Sequence, residues 1–243
     1  VVDGTGAPWF HADIGIKGDR ILAIGDLSKA EAATRIDAAG QVVAPGFIDL
    51  LGQSEFNALV DSRVASKITQ GITTEITGEG ASIAPVNDQM MADRKASYDF
   101  FKIPQDFTTL AEYFTKLEAA TSAVNIGTFV GSGGVRDYVV GKADRPATPD
   151  EMTKMKQLVA EAMTDGALGL SSSLQYIPNR FSTTDELVEL AKVAAEHGGI
   201  YITHQRSEGN KVFESIDEVL TIAERANIPA EIWHLKTAYK ANW

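Results

Sequence analysis

A chain of 243 residues that is 44% hydrophobic holds enough apolar side chain to bury one large core, or one plus a small satellite. Its 33 acidic residues outnumber 22 basic ones, for a net charge of −11, and no basic run occurs, so a general nucleic-acid binder is excluded: neutralising phosphates needs a basic face. The absence of cysteine removes disulfides, thiolate ligands and a cysteine nucleophile, and no apolar stretch is long enough to span a bilayer.

Residues 1–44 read as short strands at 12–17, 20–24, 34–37 and 41–44, punctuated by Gly18, Gly25 and Gly40, which predicts a small antiparallel β unit with His11 on its surface. After Pro45-Gly46 the rhythm becomes strand, helix, strand. Strands are expected at 47–51, 72–77, 124–130, 167–170, 199–204 and 228–234. Helices are expected at 62–69, across 87–120 with a break near Pro104, from Thr148 to Gly166, from Thr183 to Gly198, and at 214–225. Two helix starts are marked by capping boxes, Thr148 with Glu151 and Thr183 with Glu186, the first reinforced by Pro149. His197, near a helix end, is placed for favourable charge at the C-terminus.

Six parallel strands with covering helices make either a barrel or a doubly wound sheet. A nucleotide-binding sheet would carry a glycine fingerprint after its first strand, and Leu51-Gly52-Gln53-Ser54 is not one. Gly131-Ser132-Gly133-Gly134 lacks the Lys-Ser/Thr of a phosphate loop and reads as a flexible strand-to-loop turn. An α/β barrel over residues 45–243 needs eight strands, so two of them would lie beyond Trp243. The chain opens without methionine and stops soon after a site segment, so both ends read as cut. A signal peptide preceding residue 1 is compatible with this, and either a cytoplasmic or an exported protein is expected.

The chemistry gathers at strand ends. His204 and His234, two of only four histidines, each close an apolar run, and in a parallel barrel the carboxyl ends of strands converge on a site. Neutral imidazole is a common metal ligand; one such histidine taken alone reads rather as a buried residue bonded to a backbone carbonyl, and it is the repeated placement that brings the metal reading level with it. Glu79, set between Gly78 and Gly80 after another strand, is either an exposed turn residue or the carboxylate that completes a zinc shell with the two imidazoles. Ser171, Ser172 and Ser173 follow a strand, with Tyr176 close behind. Arg206 and Lys236 lie two residues past the histidines, which in an extended strand is the same face. They can hold a substrate carboxylate; alternatively, Arg206 pairs with Glu208 and Lys236 is surface. No Gly-x-Ser-x-Gly elbow supports a serine hydrolase.

Several blocks, in order along almost the whole chain, resemble the amidohydrolase superfamily. They are Val-Val-Asp-Gly-Thr-Gly at the start, Ile-Gly-Ile-Lys-Gly-Asp-Arg-Ile (14–21) and Val-Ala-Pro-Gly-Phe-Ile-Asp (43–49). The segments 71–85, 166–176, Ile-Thr-His-Gln-Arg-Ser-Glu (202–208) and Trp-His-Leu-Lys (233–236) resemble its D-aminoacylase, or N-acyl-D-amino-acid deacylase, branch. The resemblance implies a metal-bearing (β/α)8 TIM-like barrel, with residues 1–44 as part of a small β-sandwich completed by a C-terminal segment. It implies His204 and His234 as metal ligands, and Glu79 where the family places a ligating cysteine. Tyr176, Arg206 and Lys236, with Ser173, stand on the substrate side. The implied reaction is metal-dependent hydrolysis of the amide bond of a small-molecule N-acyl-D-amino acid. A cyclic amide, a dipeptide, or a non-catalytic relative are the alternatives.

Three departures from the family pattern sharpen this. Leu51 and Gln53 stand where a His-x-His is expected, which predicts loss of one metal subsite and a single ion, zinc or another divalent metal. Gly131-Ser132 replaces a Gly-His pair. The catalytic aspartate is expected beyond Trp243.

Overall fold

The computed structural model describes residues 1–243, which divide into two compact units, Val1–Phe47 and Ile48–Trp243. The first holds one antiparallel hairpin, β1 (Asp13–Lys17) and β2 (Arg20–Gly25). The strands expected at 34–37 and 41–44 do not form. A strand persists only where a ladder and a buried face reward it. Here the 41–44 segment has one backbone bond to a distant segment, Val2 N–H to Val43 O at 2.9 Å, beside the local turn bond Gln41 N–H to Ala38 O, and Ile36 and Val42 remain 87% and 77% exposed.

In the second unit strands alternate with helices. β3 (Phe47–Asp49), at the unit boundary, β4 (Ile72–Thr77) and β5 (Asn125–Thr128) form one sheet in that order, with β4 and β5 parallel. β6 (Val130–Gly131), β7 (Gly169–Ser173), β8 (Ile200–His204) and β9 (Ala230–Ile232) form a second, all-parallel sheet. The helices are α1 (Glu55–Val60), α2 (Ala65–Ile68), α3 (Asp88–Phe101), α4 (Leu110–Ala120), α5 (Ser132–Val139), α6 (Pro149–Thr164), α7 (Thr184–Glu196) and α8 (Val212–Ala226). Both capping boxes read from the sequence close α6 and α7, and Thr109 with Glu112 makes a third on α4. No helix is long and apolar enough to cross a membrane.

Local departures from the expected elements have physical causes. The 124–130 strand breaks at Phe129, whose N–H donates to Thr77 O (3.0 Å), while Leu168 N–H donates to Thr128 O (2.9 Å). The ladder thus passes from one sheet to the next across the break. The 62–69 helix contracts to α2, and α1 forms ahead of it. Residues 131–134 are not a flexible turn: Gly131 ends β6, and buried Ser132, Gly133 and Gly134 open α5, with Gly133 and Gly134 N–H both donating to Gly80 O (2.8 and 3.2 Å). The strand expected at 167–170 runs instead from Gly169 to Ser173, so the three serines lie inside the sheet. Buried hydroxyls need partners. Ser172 Oγ meets Tyr201 Oη at 2.6 Å and Thr203 Oγ1 at 2.7 Å, and Ser171 Oγ donates to Gly78 O.

The main core lies between the sheets and helices α4–α8, built from residues such as Tyr113, Met155, Leu170, Leu187 and Ile222. A smaller cluster of Phe129, Ile202 and Trp233 packs with Leu51 and Ile76, and Trp233 Nε1 donates to Leu50 O at 3.0 Å, tying the segment after β9 to the segment after β3.

Gly52 sets a sharp packing limit. A Cβ there would lie 1.7 Å from Glu75 Oε1, and Glu75 is fully buried, accepting Ser54 N–H (3.1 Å) and pairing with Lys67 (3.5 Å). Gly52→Ala should lower the unfolding free energy by about 2–3 kcal/mol, the upper part of the overpacking range because a buried carboxylate is displaced. A lowered urea midpoint at unchanged m-value is the expected reading.

Candidate metal centre

β8 pairs in parallel with β7 so that His204 stands opposite Ser173 at the carboxyl end of the sheet, 6% exposed. β9 ends before its histidine: Trp233 turns into the small apolar cluster, and His234 takes a positive φ of +40°. Glu79 follows β4 in a loop with Gly78 and Gly80 at φ +91° and +67°. Both glycines are required twice over, by that backbone and by closeness: a Cβ would lie 2.4 Å from Phe129 O at Gly78, and 2.1 Å from Ser173 Cβ at Gly80.

These three elements bring one carboxylate between two imidazoles. Glu79 Oε1 is 2.9 Å from His204 Nδ1 and 3.2 Å from His234 Nε2, and the ligand atoms of all three residues lie within 4.8 Å of one another. The rings stand edge to face with centroids 4.6 Å apart. Gln53 Nε2 donates to the other carboxylate oxygen at 3.1 Å. The hydrogen bond from His204 holds the Glu79 carboxyl below its ordinary range, helped by His234 and opposed by burial. One oxygen and two nitrogen donors at this spacing suit a divalent ion of zinc type.

The outward nitrogens meet a residue that sequence reasoning missed. Glu208 Oε1 is 3.2 Å from His234 Nδ1 and 3.9 Å from His204 Nε2, and it pairs with Lys236 Nζ, itself 3.0 Å from His234 Nδ1. His204 Nε2 is buried without a hydrogen-bond partner. Glu208 follows β8 in a loop, where spacing from His204 carries no facial information, and the sequence offered it only as a partner for Arg206.

The substrate-side candidates separate. Tyr176 lies edge-on to His204 at 5.2 Å, and Ser173 and Tyr176 line a cavity of about 350 Å³ beside Glu79. Lys236 reaches the cluster. Arg206 is turned away: Nε and Nη2 donate to Glu218 (both 2.8 Å), and Nη1 and Nη2 to the carbonyls of Arg180 (2.9 Å) and Ser182 (3.0 Å). β8 stops at His204, so strand alternation no longer governs position 206, and the guanidinium meets α8 instead of Glu208 or the cavity. Leu51 belongs to the small apolar cluster, and Ser132 bonds Asn179 within the fold.

No family model matches the chain. D-aminoacylase of Alcaligenes xylosoxydans xylosoxydans is 38% identical over 250 residues, spanning 100% of this chain and 50% of that protein. A crystal structure of D-aminoacylase, described as defining a novel subset of amidohydrolases, superposes with a TM-score of 0.88 at 35% identity, covering 99% of this chain and 51% of that one. N-acyl-D-glutamate deacylase from Bordetella bronchiseptica, solved with zinc and a phosphonate mimic of the tetrahedral intermediate, superposes with a TM-score of 0.88 at 30% identity, covering 99% and 51%. The chain spans about half the length of the relatives it matches.

Because Arg206 serves Glu218, Arg206→Ala should cost about 1–2 kcal/mol of stability, the charged hydrogen-bond range reduced for partial exposure. Chemical denaturation will show the loss, and divalent-metal affinity will be unchanged.

Proposed function

Because the chain belongs to the D-aminoacylase branch of the amidohydrolase superfamily, we propose that it carries the metal-binding part of a zinc-dependent deacylase that hydrolyses N-acyl-D-amino acids. The observation behind this reading is the meeting of Glu79 with His204 and His234. The parallel strand order and the Trp233–Leu50 bond support a (β/α)8 barrel over residues 45–243, and the β1–β2 hairpin is what residues 1–44 would bring to a small β-sandwich.

In this reading Glu79, His204 and His234 would hold one zinc ion, which when bound would supply a Lewis acid for the scissile carbonyl and an acidified water. The chain's own residues do the rest. Gln53 occupies Glu79 Oε2 and leaves Oε1 facing the imidazoles. Glu208 and Lys236 flank His234 Nδ1 at 3.2 and 3.0 Å and orient the ring toward Glu79. Tyr176 covers the His204 ring, Ser173 forms the adjoining wall, and Lys236, half-exposed beside His234, offers a cation to the α-carboxylate of the substrate. Leu51 has no donor atom, so a single ion is expected.

Elemental analysis and zinc titration test this directly. The purified protein should bind close to one zinc per chain. Glu79→Ala or His204→Ala should abolish tight binding, and affinity should fall as pH is lowered, because protons compete with the metal for its ligands. Glu208→Gln should weaken zinc binding by about ten- to a hundredfold, the range for residues that orient a ligand. Release of D-amino acid from N-acyl-D- but not N-acyl-L-substrates checks the reaction. Two tight ions per chain, or none, would require a different ligand set.

A further inference from the structure

The inward stripe of α3 carries a charge where an apolar residue is expected. Met90, Arg94 and Tyr98 are spaced four apart and share one helical face, and Met90 and Tyr98 are buried. Arg94 lines the cavity beside Glu79 together with Gln53, Ser173 and Tyr176, and it is the one cationic side chain to do so. Nη1 donates to Ile83 O at 2.7 Å, while its remaining N–H donors have no protein partner. Asp137 of α5 lines the same cavity and forms no ion pair with it. The contrast with Arg206, whose guanidinium is occupied by Glu218 and two carbonyls, is direct.

Arg94 also lines an adjoining cavity of about 380 Å³ with Gln53 and Ile83. A guanidinium with free donors at the meeting of two cavities within the size range of small-ligand sites suits a carboxylate gripped through two parallel hydrogen bonds. Lys236, the cation assigned above to the α-carboxylate, lines neither cavity. The two cations therefore address separate anionic groups. Resting on the deacylase reading, we infer that Arg94 is a specificity-determining residue that reads a second carboxylate, so that the preferred substrate is a dianionic N-acyl-D-amino acid. The second carboxylate belongs either to an acidic side chain or to a dicarboxylic acyl group.

The test compares kcat/KM of the full-length protein on N-acetyl-D-glutamate, N-succinyl-D-methionine and N-acetyl-D-methionine, for wild type, Arg94→Met and Arg94→Lys. Wild type should favour one of the two dianions over N-acetyl-D-methionine by at least about tenfold, and which dianion is favoured identifies the source of the carboxylate. Arg94→Met should erase that preference, mainly through KM, with little change on N-acetyl-D-methionine. Arg94→Lys should retain part of it, because charge persists without the planar fork. A wild type active on all three without preference, or equal losses across substrates in Arg94→Met, would overturn the inference and leave the deacylase reading standing. Failure to hydrolyse any N-acyl-D-amino acid would overturn both.

Discussion

Glu79 Oε1 sits between His204 Nδ1 and His234 Nε2, and the surrounding structure is arranged so that this one oxygen can be shared. A carboxylate and an imidazole 125 residues apart meet because parallel strands deliver their carboxyl ends to one edge. The β7–β8 register sets His204 opposite Ser173, and Ser173 in turn presses against Gly80. Any side chain at Gly78 or Gly80 would push the Glu79 loop off Phe129 and Ser173 and pull the carboxylate from the imidazoles. The centre is thus held by backbone closeness as much as by its polar contacts.

Charge is sorted around that centre by occupancy. Arg136 is buried against Glu186, Arg206 is taken by Glu218, and Lys67 bridges Asp49 and Glu75. Such pairs are expected inside a protein, since a buried charge without a partner is costly. Lys236 shares Glu208 with His234 at the rim, and Arg94, which lines the cavity, makes one hydrogen bond and keeps its other donors free. Function is to be sought among the cations that the fold leaves available.

Polar residues also build the sheet interior. Ser172 joins Tyr201 and Thr203 through hydroxyls, and Ser171 bonds Gly78 O. These contacts link the buried end of β7 to the strand on one side and to the Glu79 loop on the other. Burial pushes the Tyr201 phenol up to about 12, which keeps this layer uncharged.

Periodicity and capping chemistry act over a few residues, so the alternation of strands and helices after Pro45, the starts of α6 and α7, and the candidacy of Glu79, His204 and His234 were legible in the residues alone. The identity of Leu51 likewise sufficed to remove a donor. Tertiary structure decided whatever depends on partners distant in the chain. It denied strands at 34–37 and 41–44 a ladder, drew Ser171–Ser173 into β7 by supplying hydroxyl partners, and made a helix start of 132–134 against Gly80 O. It turned Arg206 to Glu218 where β8 ends, brought Glu208 behind both histidines, and left Arg94 free. Local pattern specifies which way a side chain faces only while a regular element lasts; beyond its end, the nearest satisfied charge or hydrogen bond decides.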